Sequence, residues 1–369
     1  MRPLALVVAL SNPMETNHGG TLRLRAHRAA LEDLGYRVEF EFPRSAIGNV
    51  SPVAGRSDSL FTVMRRRAGV LKRNYLPMPT AFGARDRHLT DRVTNSKPDL
   101  LVLTALSQRG LARVSDARIW FDFMDIWSEV ADRESRRRRG AARLTARLQV
   151  RVLERAEAKI SSQASFVTTT GWSEHESLQR RGVDNTWVPT ALPDDVFQTQ
   201  RHRSDPVPRR AGFLANFEYW PNIDAYNLLV ENWLPTLRRL GWSLVVAGRH
   251  TEVLGRVPDG VTSLGFVEDL ANYYSAIDVS VAPMRAGGGM KVKVLESLAH
   301  GVPVVGTDFA FEGFDPRLRQ TLAVVAETSP DFSPLEEIAR TRVPSEALNP
   351  YKLSSVTATL KHLLDGKTR

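Results

Sequence analysis

The residues with the most chemical content lie in one stretch, Arg285-Ala286-Gly287-Gly288-Gly289-Met290-Lys291-Val292-Lys293-Val294-Leu295-Glu296. Three consecutive glycines let a ligand come close to the backbone N–H groups. Arg285, Lys291 and Lys293 bring cations to the start of a predicted helix, Met290 to His300, where the dipole disfavours them by a few tenths to about 1 kcal/mol. The arrangement becomes favourable when a multiply charged anion, such as a diphosphate, occupies the loop. The bland alternative is a glycine turn with exposed lysines. Along the helix, Val292, Leu295 and either Leu298 or Ala299 form the expected buried stripe, leaving Lys293, Glu296 and His300 on a neighbouring face. A Lys293–Glu296 pair would contribute only about 0.2 to 0.5 kcal/mol. A carboxylate about one and a half turns from a diphosphate site is well placed to accept hydrogen bonds from the vicinal hydroxyls of a ribose.

Such a loop needs a strand before it and a helix after it, and the chain supplies both repeatedly. Apolar runs at Leu4 to Leu10, Val38 to Phe42, Leu100 to Thr104, Ile119 to Phe123 and Phe166 to Thr170 alternate with helical patterns such as Leu22 to Leu34. That alternation predicts β-α-β units on a parallel sheet. Ser173 and Glu176 have the spacing of a capping box. Thr186 to Pro208, with four prolines, reads as a linker. A second set follows: Gly212 to Leu214, a helix from Asn222 to Leu240 with Asn222 as its cap, Leu244 to Ala247, Val261 to Gly265, Val279 to Pro283 and Val302 to Gly306. With 369 residues the chain is long enough for two domains. The expected division is 1–200, 201–350 and a last helix in 351–369 with Leu353, Val356, Leu360 and Leu364 as its buried stripe.

Composition excludes several classes. Hydrophobic residues at 42% and charged residues at 25% fit a packed globular protein. Cysteine is absent, which removes disulfides, thiolate nucleophiles and cysteine metal sites. With no two histidines at ligand spacing on a predicted helix, no metal site is expected. No apolar run approaches the roughly 20 residues of a membrane helix and no signal peptide is read, so a cytoplasmic protein is expected, peripheral to the inner face of the membrane if it meets lipid at all. The net charge of +9 calls for an acidic partner. Basic residues concentrate at Arg65 to Arg67 with Lys72 and Arg73, and from Arg133 to Arg155. Arg143, Arg147, Arg151 and Arg155 recur at every fourth position among Leu144, Leu148 and Val152. They form either a solvated helix face or a strip that docks on anionic lipid. Nucleic acid is not expected, because interleaved aromatics and known binding modules are missing.

The stretch Gly287 to Val305 resembles the donor-site signature of family-four glycosyltransferases. The resemblance extends to Asn216-Phe217-Glu218-Tyr219-Trp220-Pro221-Asn222, Val246-Ala247-Gly248-Arg249 and Gly265-Phe266-Val267-Glu268-Asp269-Leu270. In the first half it rests on Gly19-Gly20 and Asp122-Phe123-Met124-Asp125-Ile126-Trp127-Ser128. It implies a GT-B fold, that is, an α/β protein of two doubly wound Rossmann-like domains facing a central cleft. It also implies a nucleotide-diphosphate sugar as donor, no metal, no further cofactor and retention of configuration. Glu296 matches the second carboxylate of the family's pair and is expected on the ribose. The backbone from Gly289 through Met290 and Lys291 to Val292 matches the diphosphate and sugar cradle, and Val267 the loop that reads the base. The sequence departs from the pattern at Gly288, where the first glutamate of the pair would stand.

Other candidates are less specific. Gly19 and Gly20 are expected to face the donor phosphates across the cleft. His18 either contacts the reacting sugar, acts as a base, or is a solvated loop histidine. Asp125 contacts acceptor or donor sugar, or caps the helix after it. Arg249 either meets a phosphate or pairs on the surface, and Asn222 is a cap rather than a ligand. Glycosyl transfer to a small-molecule, lipid-linked or glycan acceptor, of bacterial secondary metabolism or the cell envelope, is the leading expectation. A sugar-nucleotide epimerase on the same fold and a non-catalytic nucleotide-sugar-binding protein are the alternatives. A dinucleotide oxidoreductase is disfavoured, since no Gly-x-Gly-x-x-Gly opens either domain.

Overall fold

The computed structural model describes residues 2–10, 12–14, 19–43, 86–136, 139–198 and 209–366. His18 and the basic cluster at Arg65 to Arg73 lie outside the described residues. Two parallel six-stranded sheets follow one another along the chain. The first contains β1 (Leu4–Val8), β2 (Arg37–Glu41), β3 (Leu100–Leu103), β4 (Arg118–Phe123), β5 (Phe166–Thr169) and β6 (Thr186–Trp187), in the order β2-β1-β3-β4-β5-β6. The second contains β7 (Arg210–Leu214), β8 (Ser243–Ala247), β9 (Val261–Ser263), β10 (Val279–Ala282), β11 (Val304–Gly306) and β12 (Ala323–Val324), in the order β12-β11-β10-β7-β8-β9. The strands β1 and β3 are apolar along their length and buried, and β10 is buried throughout, as strands covered on both faces by helices must be. Two doubly wound, Rossmann-like units result.

In each sheet the strand order reverses at one place, between β1 and β3 and between β7 and β10. A crevice opens there outside the carboxyl ends of the strands. The loop after β10 carries the glycines, and the loop after β7 carries Asn216 to Tyr219, so the second crevice is lined by the two stretches with the strongest resemblance.

Several local expectations are corrected. The predicted linker contributes β6, whose two residues are too few to leave a periodic signal. The helix placed from Asn222 to Leu240 begins at Trp220, with Tyr219 at its cap and Pro221 in its first turn, and passes through a π-turn at Leu229–Trp233. No capping box forms at Ser173, because the helix Trp172–Arg180 starts from Gly171 and the Ser173 hydroxyl turns to Glu174. The glycine-loop helix is shorter than expected, Val292–Ala299, and its buried side chains are Val294, Leu295, Ser297, Leu298 and Ala299, with Val292 only half-buried. Val292 faces the first domain instead, where a Cβ built on Gly19 would meet its Cγ2 at 3.2 Å.

The last helix, Leu353–Asp365, packs its Val356 and Leu360 into the core of the first sheet, beside Leu24 and Ala30 of the helix Gly19–Asp33. The chain therefore crosses between the sheets twice. The two crossings pair with each other, Leu192 N–H donating to Tyr351 O at 3.0 Å and Leu353 N–H to Leu192 O at 2.9 Å. Trp172, Trp187 and Tyr351 continue this contact edge to face, with centroids 5.1 and 5.6 Å apart. The Tyr351 hydroxyl donates to Asp315 at 2.8 Å.

Candidate active site

The glycine loop leaves β10 through Pro283 and Met284 and reaches the helix Val292–Ala299 at Lys291. Gly287 and Gly289 have φ of 112° and 60°, a region costly for residues with a Cβ. Gly288 does not, so its lack of a side chain has another cause. Lys291 does not project into solvent. Its ammonium donates to the carbonyl oxygens of Gly288 (3.3 Å) and Gly289 (2.7 Å) and lies 4.6 Å from the centre of the Phe309 ring, tying the loop to itself. Burial lowers its pKa. The loop's own lysine thus occupies two of its carbonyls.

Lys293 is the cation nearest the ribose candidate. Its ammonium donates to Asn222 Oδ1 at 2.7 Å and stands 4.8 Å over the Phe213 ring, while Asn222 Nδ2 donates to Asn216 O at 2.7 Å. Asn222 is therefore a bracket that aims Lys293, not a helix cap, and the lysine's hydrogen bond goes to Asn222 rather than Glu296. Burial drives Lys293 down to about 7 and Glu296 up to about 7, the neighbouring opposite charge of each resisting the change. A diphosphate would restore the charge on Lys293. Arg285 is turned away from this centre, its guanidinium bound to both oxygens of Asp224 at 2.8 Å.

The first domain closes the cleft from the other side. A Cβ built on Gly19, at the start of its helix, would lie 3.2 Å from Val292 Cγ2, so the amino-terminal ends of two helices face each other across the gap. Gly20 is in the first turn of the same helix. Asp125, just past the end of β4, hangs over Gly288 and Gly289. Burial, with Glu174 nearby, raises its carboxyl to about 6 against the opposing pull of Lys291 and Arg133.

Asp122, three residues earlier, has a different fate. It is fully buried between Arg23 (2.5 and 2.7 Å), His27 (3.0 Å) and the Thr168 hydroxyl (2.6 Å). Burial alone would raise its carboxyl, but Arg23 and His27 overcome that and hold it well below the carboxylate range. This network ties the end of β4 to the helix Gly19–Asp33 and leaves Asp125 to face the glycine loop.

At the far end of the second crevice, Arg249 lies over the Phe266 ring at 5.1 Å, and Val267 packs beside Tyr273 and Tyr274. Three side chains that the sequence did not single out also line the cleft. Glu174 and Glu312 border the cavity beneath Lys291 together with Arg133, and the Tyr219 hydroxyl accepts from the Gly288 N–H. Tyr219 sits within a stretch already recognised, but Glu174 and Glu312 are far apart in sequence and carry no motif. Among the described residues, no group of three His, Cys, Asp or Glu side chains is placed to hold a metal ion.

Residues 208–331 match the family model described as glycosyl transferases group 1. The whole chain superposes on sucrose-phosphate synthase from Thermosynechococcus elongatus with a TM-score of 0.63 at 13% identity, over 98% of each chain. HepE of Anabaena, solved with UDP-glucose, gives 0.60 at 12% identity over 98% of this chain and 99% of that one. The lipopolysaccharide outer core galactosyltransferase WaaB gives 0.53 at 9% identity over 98% of both. Comparison with curated protein sequences returns no match. The fold is GT-B. The group 1 match covers about a third of the chain and lies within the unit built on the second sheet.

Proposed function

We propose that this enzyme transfers a glycosyl group from a nucleoside-diphosphate sugar to a small-molecule, lipid-linked or glycan acceptor. The observation that carries the reading is the convergence of the Gly287–Gly289 loop, the aimed Lys293 and Glu296 on one helix end at the second sheet's crevice. In this reading the diphosphate lies against the N–H groups of Gly289, Met290, Lys291 and Val292, with Lys293 as counter-charge and Gly19 and Gly20 opposite. Glu296 holds the ribose, the segment around Val267 and Arg249 lies beside the base, and Asp125 faces the sugar. Arg285 supports the loop through Asp224. The resemblance favours transfer with retention of configuration and no cofactor or metal. Charge developing on the leaving diphosphate is met by the helix end and Lys293.

The division of labour follows the two sheets: residues 1–200 hold the acceptor, 201–350 the donor, and the returning segment 351–369 couples them. For the acceptor side, the helix Gly140–Gln163 supplies a surface. Leu144 and Leu148 are 64% and 51% exposed, among the exposed Arg143, Arg147, Arg151 and Arg155. No helix among the described residues is long and apolar enough to cross a membrane. This strip fits docking on an anionic bilayer from the cytoplasmic side, as a lipid-linked acceptor would require.

The test is to incubate the protein with UDP-, GDP-, ADP- and dTDP-hexoses and candidate acceptors. Nucleoside diphosphate released only when acceptor is present supports transfer. Donor consumed or isomerised without acceptor supports hydrolysis or epimerisation instead, and activity lost to EDTA and restored by magnesium or manganese overturns the metal-free reading.

A further inference from the structure

The central glycine of the loop is not explained by backbone conformation, since only Gly287 and Gly289 have positive φ. It is explained by Asp125. A Cβ built on Gly288 would overlap Asp125 Oδ1 and stand 2.9 Å from its Cγ. The same carboxylate oxygen is 3.5 Å from the Cβ position of Gly289, and the Met124 carbonyl 3.3 Å from it. A carboxylate from one domain therefore fills the volume that a side chain on the other domain's loop would occupy.

We infer that Asp125 and Gly288 are one matched device, in which the carboxylate that reads the donor sugar is supplied from across the cleft and completes the sugar site. The inference rests on the donor reading proposed above. Three observations fit it. Asp125 extends beyond β4, while Asp122 is committed to Arg23 and His27. Lys291, which the Asp125 charge attracts, is fixed on the Gly288 and Gly289 carbonyls. Tyr219 accepts from the Gly288 N–H, so the loop is held at the height of the carboxylate. An acidic side chain on position 288 would place like charges in contact, which is unfavourable in a partly desolvated cleft.

The physical consequence is a division in the binding energy. The nucleoside diphosphate is held mainly by the second domain. The sugar adds affinity only through the first domain, so discrimination between sugars is tied to that domain.

A mutant cycle tests this in two ways. Without ligand, Gly288→Ala should lower the melting temperature by at least about 2 °C in the wild-type background and leave Asp125→Gly unaffected. An equal loss in both backgrounds overturns the proposed contact. With the nucleoside diphosphate and matching hexose donor that bind the wild type best among the uridine, guanosine, adenosine and thymidine forms, calorimetry reads the sugar's share. Asp125→Asn should weaken the donor at least about fivefold while changing the diphosphate less than twofold. Gly288→Glu alone should weaken the donor, and Asp125→Gly combined with Gly288→Glu should bind it more tightly than Asp125→Gly. Equal losses for donor and diphosphate, or a double variant no better than Asp125→Gly, overturn the inference. A wild type that binds none of these nucleotides overturns the underlying donor reading, while the ligand-free cycle still judges the Asp125–Gly288 contact separately.

Discussion

The ammonium of Lys293 is held 2.7 Å from the side-chain oxygen of Asn222, a residue 71 positions earlier in the chain. The loop after β7 thus aims the cation that the helix after β10 carries. Removing the charge and removing the bracket should therefore differ. We expect Lys293→Met to weaken nucleoside-diphosphate binding by about tenfold or more, at least 1.4 kcal/mol, and Asn222→Ala by less. Calorimetric titration of both variants checks this, and an Asn222→Ala loss exceeding that of Lys293→Met would contradict it.

Proton linkage gives an independent sign. With its pKa lowered to about 7, Lys293 is largely neutral at pH 8 in the free protein and becomes charged when a diphosphate binds. Binding at pH 8 should take up a proton. Titrations in buffers of different ionisation heat should show this uptake, and Lys293→Met should abolish it.

Glu296 should report the opposite limb. Its carboxyl, raised to about 7 by burial, must ionise to accept the ribose hydroxyls, so affinity should fall as pH drops below about 7. We expect Glu296→Ala to weaken the nucleoside diphosphate by about 1 to 3 kcal/mol without unfolding the protein. An unchanged affinity would remove Glu296 from the ribose.

Asp125 makes a stability forecast. Its pKa rises from 3.8 to about 6 in the fold, so folding favours the protonated form. The associated stability is present below about pH 4 and lost as pH rises through 6. Asp125→Asn should raise the melting temperature at pH 8 and leave it nearly unchanged at pH 4. A gain on the order of 1 to 2 kcal/mol is expected after allowance for partial solvent access. Thermal denaturation at the two pH values decides.

Lipid docking is separable from chemistry. Leu144→Asp combined with Leu148→Asp changes two exposed side chains. Co-sedimentation with vesicles rich in phosphatidylglycerol should drop at least about fivefold, with turnover of a soluble acceptor unchanged. Retained sedimentation would leave Arg143 to Arg155 a solvated face.

Much of this was legible before the fold was seen, and the exceptions have physical causes. The strands β1 and β3 are wholly apolar and buried, and β4, β5, β8 and β10 keep mostly apolar or β-branched residues, so composition alone marks them. β6 and β12 are two residues each and hold too little burial to leave a pattern. The glycine loop and Glu296 are local in sequence, so spacing exposed them. Lys293–Asn222 and Asp125–Gly288 are contacts between distant elements, and no local periodicity encodes them. The position of Asn222 near a helix start fits a cap, whereas its hydrogen bonds to Lys293 and Asn216 decide its role. The cations of the loop were read as one cluster, yet Arg285 is spent on Asp224 and Lys291 on the loop's own carbonyls.

Hydrogen exchange on binding a nucleoside diphosphate tests the central claim most directly. The account expects amides from Gly287 to Val294 to slow sharply in the complex, with a smaller effect at Gly19 to Leu22 across the cleft. Protection confined to the first domain, or acceptor-dependent turnover of a nucleotide sugar with no protection of the glycine loop, would contradict it.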